Sequence, residues 1–113
     1  MSGGSSDMFR QMFFEEAREL LEALEKGLSG AGPAGDEPRR WDPVYRAAHS
    51  LKGAAAMVGF AAISEQALAM EKVLGQLRTG SLSWGEETSR SLDEQRVRLA
   101  ELIDEEETRF GNP

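Results

Sequence analysis

Apolar residues recur at helical spacing along four separate segments of the chain. In the first segment the recurring apolar positions are Phe9, Phe13, Leu20, Leu24 and Leu28. Charged residues fill most of the positions between them, which is typical of an amphipathic helix with one buried face. The pattern predicts a first helix over residues 7–28. The preceding residues, 1–6, are rich in Gly and Ser and are expected to form a flexible end.

The same periodicity predicts three further helices, over residues 41–58, 61–78 and 84–110. Gly59 and Gly80 follow the second and third of these, where a left-handed residue commonly ends a helix. Residues 29–38 contain three Gly and two Pro and are expected to form a loop. No segment alternates like a strand. The sequence therefore predicts an all-α, antiparallel up-and-down four-helix bundle in one domain that spans residues 1–113.

Methionines also occur at helical spacing. They are Met8, Met12, Met57 and Met70. Because methionine fills irregular gaps in apolar cores, we assign all four to packing.

Composition excludes several classes of function. The 113 residues include no cysteine and one histidine, so neither disulfides nor a histidine or thiolate metal site is expected. Thirteen basic and twenty acidic residues give a net charge of −7, which repels the phosphates of nucleic acid. No apolar run approaches the roughly 18 residues of a membrane span, and the N-terminus lacks signal-peptide features. We expect a cytoplasmic protein that contacts neither membrane nor nucleic acid.

Helical geometry places the single histidine, His49, on the solvent-facing side of the second helix. At about 100° per residue, the apolar residues of this helix lie roughly 180–260° away from it. These are Val44, Ala48, Leu51, Ala55 and Val58. On the histidine's own face lie Tyr45 one turn before it and Lys52, Gly53 and Ala56 after it. The small residues predict a shallow depression through which another protein approaches the imidazole.

A neutral imidazole in this position can act as a nucleophile through one nitrogen while the other donates a hydrogen bond. A phosphoryl group on it would add nearly two negative charges, and Lys52 is within reach to offset them. Composition and periodicity alone leave an ordinary surface histidine as an open alternative.

The residues around His49 help to distinguish a nucleophilic histidine from an ordinary surface histidine. The run Arg-Ala-Ala-His-Ser-Leu-Lys-Gly at residues 46–53, followed by Gly59, resembles the His-x-x-Lys-Gly phosphoacceptor signature of histidine phosphotransfer domains. With Phe-Phe-Glu-Glu-Ala at 13–17 and Leu-Arg-x-Gly at 77–80, it is similar to the N-terminal domain of chemotaxis-type (CheA-like) histidine kinases. The resemblance is dense over about residues 9–80 and only compositional in the fourth helix.

The resemblance implies a role for each site residue. His49 would be phosphorylated on Nε2, Lys52 would neutralise the phosphate, and Gly53 would clear the approach. In the family a glutamate of the third helix hydrogen-bonds Nδ1, and the matched run places Glu71 there. A helical wheel agrees, since Glu71 lies at the border of the buried stripe. An ordinary solvated glutamate remains the alternative.

The chain departs from the family at Leu68. Family members commonly have a second histidine three residues before the glutamate, where this sequence has leucine. We interpret Leu68 as an exposed part of an apolar docking patch, on the side where partners approach across Tyr45, Gly53 and Ala56.

The sequence has no P-loop and no strand-containing segment that could build a nucleotide pocket, so we expect no cofactor in this domain. The resemblance implies that ATP and Mg lie on a partner, a histidine-kinase catalytic domain, which phosphorylates His49. It implies that the aspartate of a response-regulator receiver domain then accepts the group. We expect the isolated domain to be a monomer, either free-standing or part of a larger kinase.

Three other interpretations stay open. In a histidine-kinase dimerisation hairpin, the residues after the histidine typically run Glu-Leu-Arg-Thr-Pro, whereas this chain has Ser-Leu-Lys-Gly at 50–53. In a phosphorylation-independent interaction module, replacement of His49 would not affect signalling. A helical enzyme that uses His49 and Glu71 as an acid–base pair would need a concave substrate pocket.

Overall fold

The structure, a computed structural model, describes residues 3–30 and 37–111 and contains no strand within them. Its four α-helices are α1 (Gly3–Ser29), α2 (Asp42–Met57), α3 (Ala61–Thr79) and α4 (Glu86–Gly111). A short 3-10 helix, Pro38–Trp41, leads into α2. The predicted all-α class is confirmed.

The helices form an elongated bundle of 52 × 19 × 18 Å. Each helix packs against the next one along the chain, and α4 packs back against α1. All four helices and the 3-10 helix contribute to one core. Its largest fully buried side chains are Trp41, Leu24, Leu51, Ile63, Met70, Leu74, Leu92, Leu99 and Ile103. The bundle predicted from four amphipathic stripes is confirmed.

The ends of α2 and α3 lie where the glycines predicted them, whereas the starts of α1 and α4 differ by a few residues. Gly59 and Gly80 have positive φ angles of 83° and 81° and follow α2 and α3 in the left-handed conformation that glycine adopts without strain. The fourth helix begins at Glu86, two residues later than predicted. The first begins at Gly3, four residues earlier, so residues 3–6 belong to the helix. Met1, Ser2 and the part of the predicted loop at 31–36 lie outside the described residues.

The start of α1 is where the predicted core was wrong. Phe9, Met8 and Met12 are 60%, 63% and 55% exposed. The buried residues nearest to them, Phe13 and Phe14, pack on Phe60 in the α2–α3 turn and on Phe110 near the end of α4. Phe9 and Met12 instead line a groove beside the last turn of α2, and no described element covers that groove.

Two further assignments on the methionines had opposite outcomes. Met57, in the last turn of α2, is 88% exposed, so its assignment to packing was wrong. Met70, in the middle of α3, is fully buried as predicted.

Candidate functional site

His49 projects from the middle of α2 into solvent. The opposite face of the helix carries buried Val44, Ala48, Leu51 and Ala55, and this burial fixes the rotation of α2. The His49 side chain is 59% exposed. The imidazole is therefore accessible to a second protein while its backbone is anchored in the core.

The Glu71 side chain contacts His49 from the neighbouring helix, α3. It is the one buried charged residue among the described side chains, with 7% exposure. Its Oε1 lies in hydrogen-bonding contact with Nδ1 of His49. Lys52 Nζ lies 2.8 Å from Oε2 and 3.1 Å from Oε1 of the same carboxylate. The structure thus brings together the three residues that the resemblance selected.

The two hydrogen-bond donors keep the Glu71 carboxyl ionised. Burial raises the pKa of this group, but the hydrogen bonds from Lys52 and His49, with the charges of these residues, outweigh burial and lower the pKa below its ordinary value of 4.5. An ionised carboxylate can only accept hydrogen bonds, so Nδ1 of His49 is the nitrogen that carries the proton. In the neutral imidazole this leaves a free lone pair on Nε2.

Lys52 makes contacts within the protein that the sequence did not predict. Its side chain is 29% exposed, and its ammonium contacts both oxygens of Glu71. A further contact was not predicted: Ser64 of α3 donates a hydrogen bond from Oγ to the backbone oxygen of Lys52, at 3.0 Å. Nothing in the spacing of Ser64 distinguishes it from other small polar residues. Together these contacts fasten α2 to α3 at the site.

Tyr45 forms the wall of the site on the N-terminal side. Its ring lies 6.1 Å from the His49 ring, centroid to centroid, and the two planes differ by 11°. The guanidinium of Arg78 lies 3.9 Å from the Tyr45 ring centroid. A Cβ at Gly75 would lie 3.4 Å from Cε1 of the tyrosine, an ordinary van der Waals contact, so α3 passes close beside the ring. Arg78 was noted only as part of a motif, and Gly75 was not singled out.

The C-terminal side of the histidine is open. Gly53 and Ala56 are exposed, and a Cβ at Gly53 would meet no described atom within 4 Å. The depression predicted from the small residues stays a prediction. Leu68, expected to be exposed, is instead half-buried, because it lies one turn from both Ser64 and Glu71, the residues of α3 that contact α2.

An apolar groove continues from this open side toward the end of α2. We call it the α1–α2 groove. It has a volume of about 470 Å³. Its lining residues are Phe9, Arg10, Met12, Phe13, Glu16, Ala54, Met57 and Val58. Sequence reasoning missed it because it placed Phe9, Met12 and Met57 in the core.

Within residues 3–30 and 37–111, no group of three or more His, Cys, Asp or Glu side chains is arranged to hold a metal ion. None of the helices described is both long enough and apolar enough to cross a membrane.

Comparisons with known proteins agree with the chemistry of the cluster. The family profile described as Hpt domain matches residues 8–108. Chemotaxis protein CheA of Salmonella typhimurium is 39% identical over 82 residues, which cover 73% of this chain and 12% of that protein. The proteins of the same name from Klebsiella aerogenes and Listeria monocytogenes are 39% identical over 70 residues and 33% identical over 72. The chain spans 11% and 12% of their lengths.

Proposed function

The chain belongs to the Hpt domain family, the phosphotransfer modules of two-component systems, and we propose that it carries a phosphoryl group on Nε2 of His49. One observation carries this proposal. An exposed imidazole has its Nδ1 held by a buried, ionised carboxylate. This arrangement leaves Nε2 as the nucleophile and directs it to solvent.

In the proposed first step, the Nε2 lone pair attacks the γ-phosphorus of ATP held by a histidine-kinase catalytic domain. The bond from phosphorus to the bridging oxygen breaks and ADP leaves. The phosphorylated ring keeps its proton on Nδ1, where the Glu71 carboxylate stabilises the positive charge that develops on the imidazole. In the second step, a carboxylate oxygen of a receiver aspartate attacks phosphorus, and the electron pair of the broken N–P bond returns to Nε2.

The domain supplies position, tautomer and charge compensation, while ATP and Mg belong to the partner. We propose that kinase and receiver approach across Gly53 and Ala56, since both residues are exposed and a Cβ at Gly53 would meet no described atom within 4 Å. The exposed apolar side chains of the α1–α2 groove offer contact area beside this route. We also propose that this chain acts in the cytoplasm as one component of a two-component pathway, and its membership of the Hpt domain family supports the second part of this proposal.

The test is a two-stage labelling experiment. The chain is incubated with γ-labelled ATP and the catalytic domain of a CheA-type kinase, and a receiver domain is added after excess ATP is removed. We expect label on the wild type that is labile to acid and stable to base, and loss of that label to the receiver. His49→Gln is the matched control. Equal labelling of this variant would exclude His49 as the acceptor.

A second candidate is a phosphorylation-independent interaction module, and the exposed α1–α2 groove is the observation that favours it. The same experiment separates the two. A module of this kind would bind its partner equally well as wild type and as His49→Gln, and it would take up no label in either form.

A further inference from the structure

The basic side chains around His49 are not equivalent. Lys52 contacts both oxygens of Glu71. Arg78 is stacked on Tyr45, and its Nε lies 3.9 Å from Oδ1 of Asp42. Arg46 is exposed, and within the part of the chain that the structure describes its guanidinium has no hydrogen bond, ion pair or ring contact. It is the cation of α2 that is free to accept a new anionic partner.

Arg46 and Lys52 lie on opposite flanks of the imidazole. At about 100° per residue, Arg46 is roughly 60° to one side of His49 and Lys52 roughly 60° to the other. The Lys52 flank faces α3, since both Lys52 and Nδ1 of His49 contact Glu71. Because Nδ1 is directed to α3, Nε2 is directed away from it, toward the flank of Arg46.

The direction of helical side chains adds a second reason. Long side chains on a helix lean toward its N-terminus, so the imidazole of His49 lies over the turn that contains residues 45 and 46 and not over the turn of Lys52. On that turn the aromatic ring of Tyr45 occupies the side near α3. Arg46 occupies the other side, within the reach of an extended arginine from Nε2.

Charge balance favours the same residue. The Lys52 ammonium is already matched by the Glu71 carboxylate at 2.8 Å, so this pair adds little net charge to the site. A phosphoryl group brings nearly two negative charges and three acceptor oxygens. Arginine presents a planar fork of donors that fits two of these oxygens at once, and it stays protonated at any physiological pH. Lys72, also exposed, follows Glu71 by about 100° on α3 and points further from α2.

We propose that Arg46 binds the phosphoryl oxygens on Nε2 of His49, whereas Lys52 acts on the Nδ1 side by keeping Glu71 ionised. This inference rests on the proposed function, since it assigns a residue to the phosphorylated state of that same site. The resemblance assigned phosphate neutralisation to Lys52 alone. In this proposal Arg46 contacts the phosphate and Lys52 acts through Glu71.

A small phosphodonor isolates this contact from partner docking. In phosphoramidate the amine is protonated, so as Nε2 forms its bond to phosphorus the P–N bond of the donor breaks and ammonia leaves. The product keeps the Nδ1 proton on the Glu71 side. The full chain is labelled in this way as wild type, Arg46→Gln, Arg46→Lys and Arg98→Gln. Arg98 is the matched control because it is an exposed arginine of α4, which packs on α1 and α3.

We expect Arg46→Gln to slow labelling and to shorten the lifetime of the phosphohistidine, each by about twofold to fivefold, the range for one exposed charged contact. Arg46→Lys should recover part of the loss, and Arg98→Gln should match wild type. Thermal unfolding followed by circular dichroism confirms that each variant is folded. The direct readout is the Nε–H resonance of Arg46 in a ¹⁵N-labelled sample, which should shift on phosphorylation while that of Arg98 stays in place.

The outcomes separate this inference from the proposed function. If the wild type takes no label on His49 from any donor, the proposed function fails and the inference fails with it. If the wild type is labelled, Arg46→Gln matches Arg98→Gln in rate and lifetime, and the Arg46 resonance of the wild type does not shift on phosphorylation, only the assignment of Arg46 is overturned. A loss in Lys52→Gln without any loss in Arg46→Gln would return the phosphate-binding role to Lys52.

Discussion

Nδ1 of His49 and Oε1 of Glu71 are in hydrogen-bonding contact across the interface of α2 and α3. The two groups come from different environments, since the imidazole is mostly exposed and the carboxylate is buried. The buried partner is ionised because Lys52 and His49 both donate to it. The exposed imidazole is thereby oriented by a carboxylate whose position is fixed by burial between the helices.

Glu71→Gln should impair phosphorylation more than it impairs folding. The amide retains the shape and one acceptor oxygen but loses the charge that stabilises the protonated, phosphorylated ring. We expect labelling by phosphoramidate to slow by about tenfold or more, and the free energy of unfolding to fall by about 1–2 kcal/mol as Lys52 loses its ion pair. Urea denaturation and labelling are measured in parallel. Glu65→Gln, an exposed change on the same helix, is the control, and a Glu71 variant that behaves like it would make Glu71 a bystander.

The lowered pKa of Glu71 predicts how stability depends on pH. The folded-state pKa lies below the unfolded value, so the carboxylate contributes stability that is fully present above the unfolded pKa and is lost as pH falls through the folded pKa. The difference in unfolding free energy between wild type and Glu71→Gln should therefore be larger at pH 5.5 than at pH 3. Denaturant titrations at these two pH values measure it. A difference that does not shrink in acid would contradict the lowered pKa.

Sequence periodicity was sufficient for the bundle because each helix buries one stripe and two glycines end α2 and α3. It was insufficient at the start of α1, where the apolar residues Phe9 and Met12 continue the pattern but line the open α1–α2 groove instead of the core. A periodic pattern shows which face is apolar. It does not show whether a neighbouring helix covers that face.

For the site, the sequence selected His49, Lys52 and Glu71 but not their arrangement. The spacing of Lys52 fixes its face on α2, whereas its partner depends on the rotation and height of α3 relative to α2, which no local pattern encodes. The same limit applies to Ser64 and Arg78, which act across the helix interface. Leu68 was placed in solvent by analogy with a histidine of the family network, and the packing of α3 half-buries it.

Gly53 tests whether the open side of the histidine serves partner approach. A side chain at this position meets no described atom, so Gly53→Gln should raise the free energy of unfolding, by up to about 1 kcal/mol, through its better helix propensity. It should also slow phosphoryl transfer to a receiver domain, because the new side chain stands beside Nε2. Labelling by phosphoramidate should stay close to wild type. Full-rate transfer to the receiver in Gly53→Gln would show that the approach does not cross this position.

Met57 tests the contribution of the α1–α2 groove. Because the side chain is 88% exposed, Met57→Gln should leave thermal stability within about 0.5 kcal/mol of wild type. If kinase or receiver contacts the groove, the variant should raise the KM for protein partners and leave labelling by phosphoramidate unchanged. Val97→Gln removes an exposed apolar side chain from α4 and is the matched control. Equal KM values for the two variants would exclude the groove from partner contact.

The position of phosphorus on the imidazole tests the account most directly. The ¹⁵N-labelled chain is phosphorylated, and the couplings between ³¹P and the two ring nitrogens of His49 are measured by NMR. The account predicts that phosphorus couples to Nε2, while Nδ1 retains its proton and its contact with Glu71. Phosphorus bonded to Nδ1, or label on any residue other than His49, would contradict it.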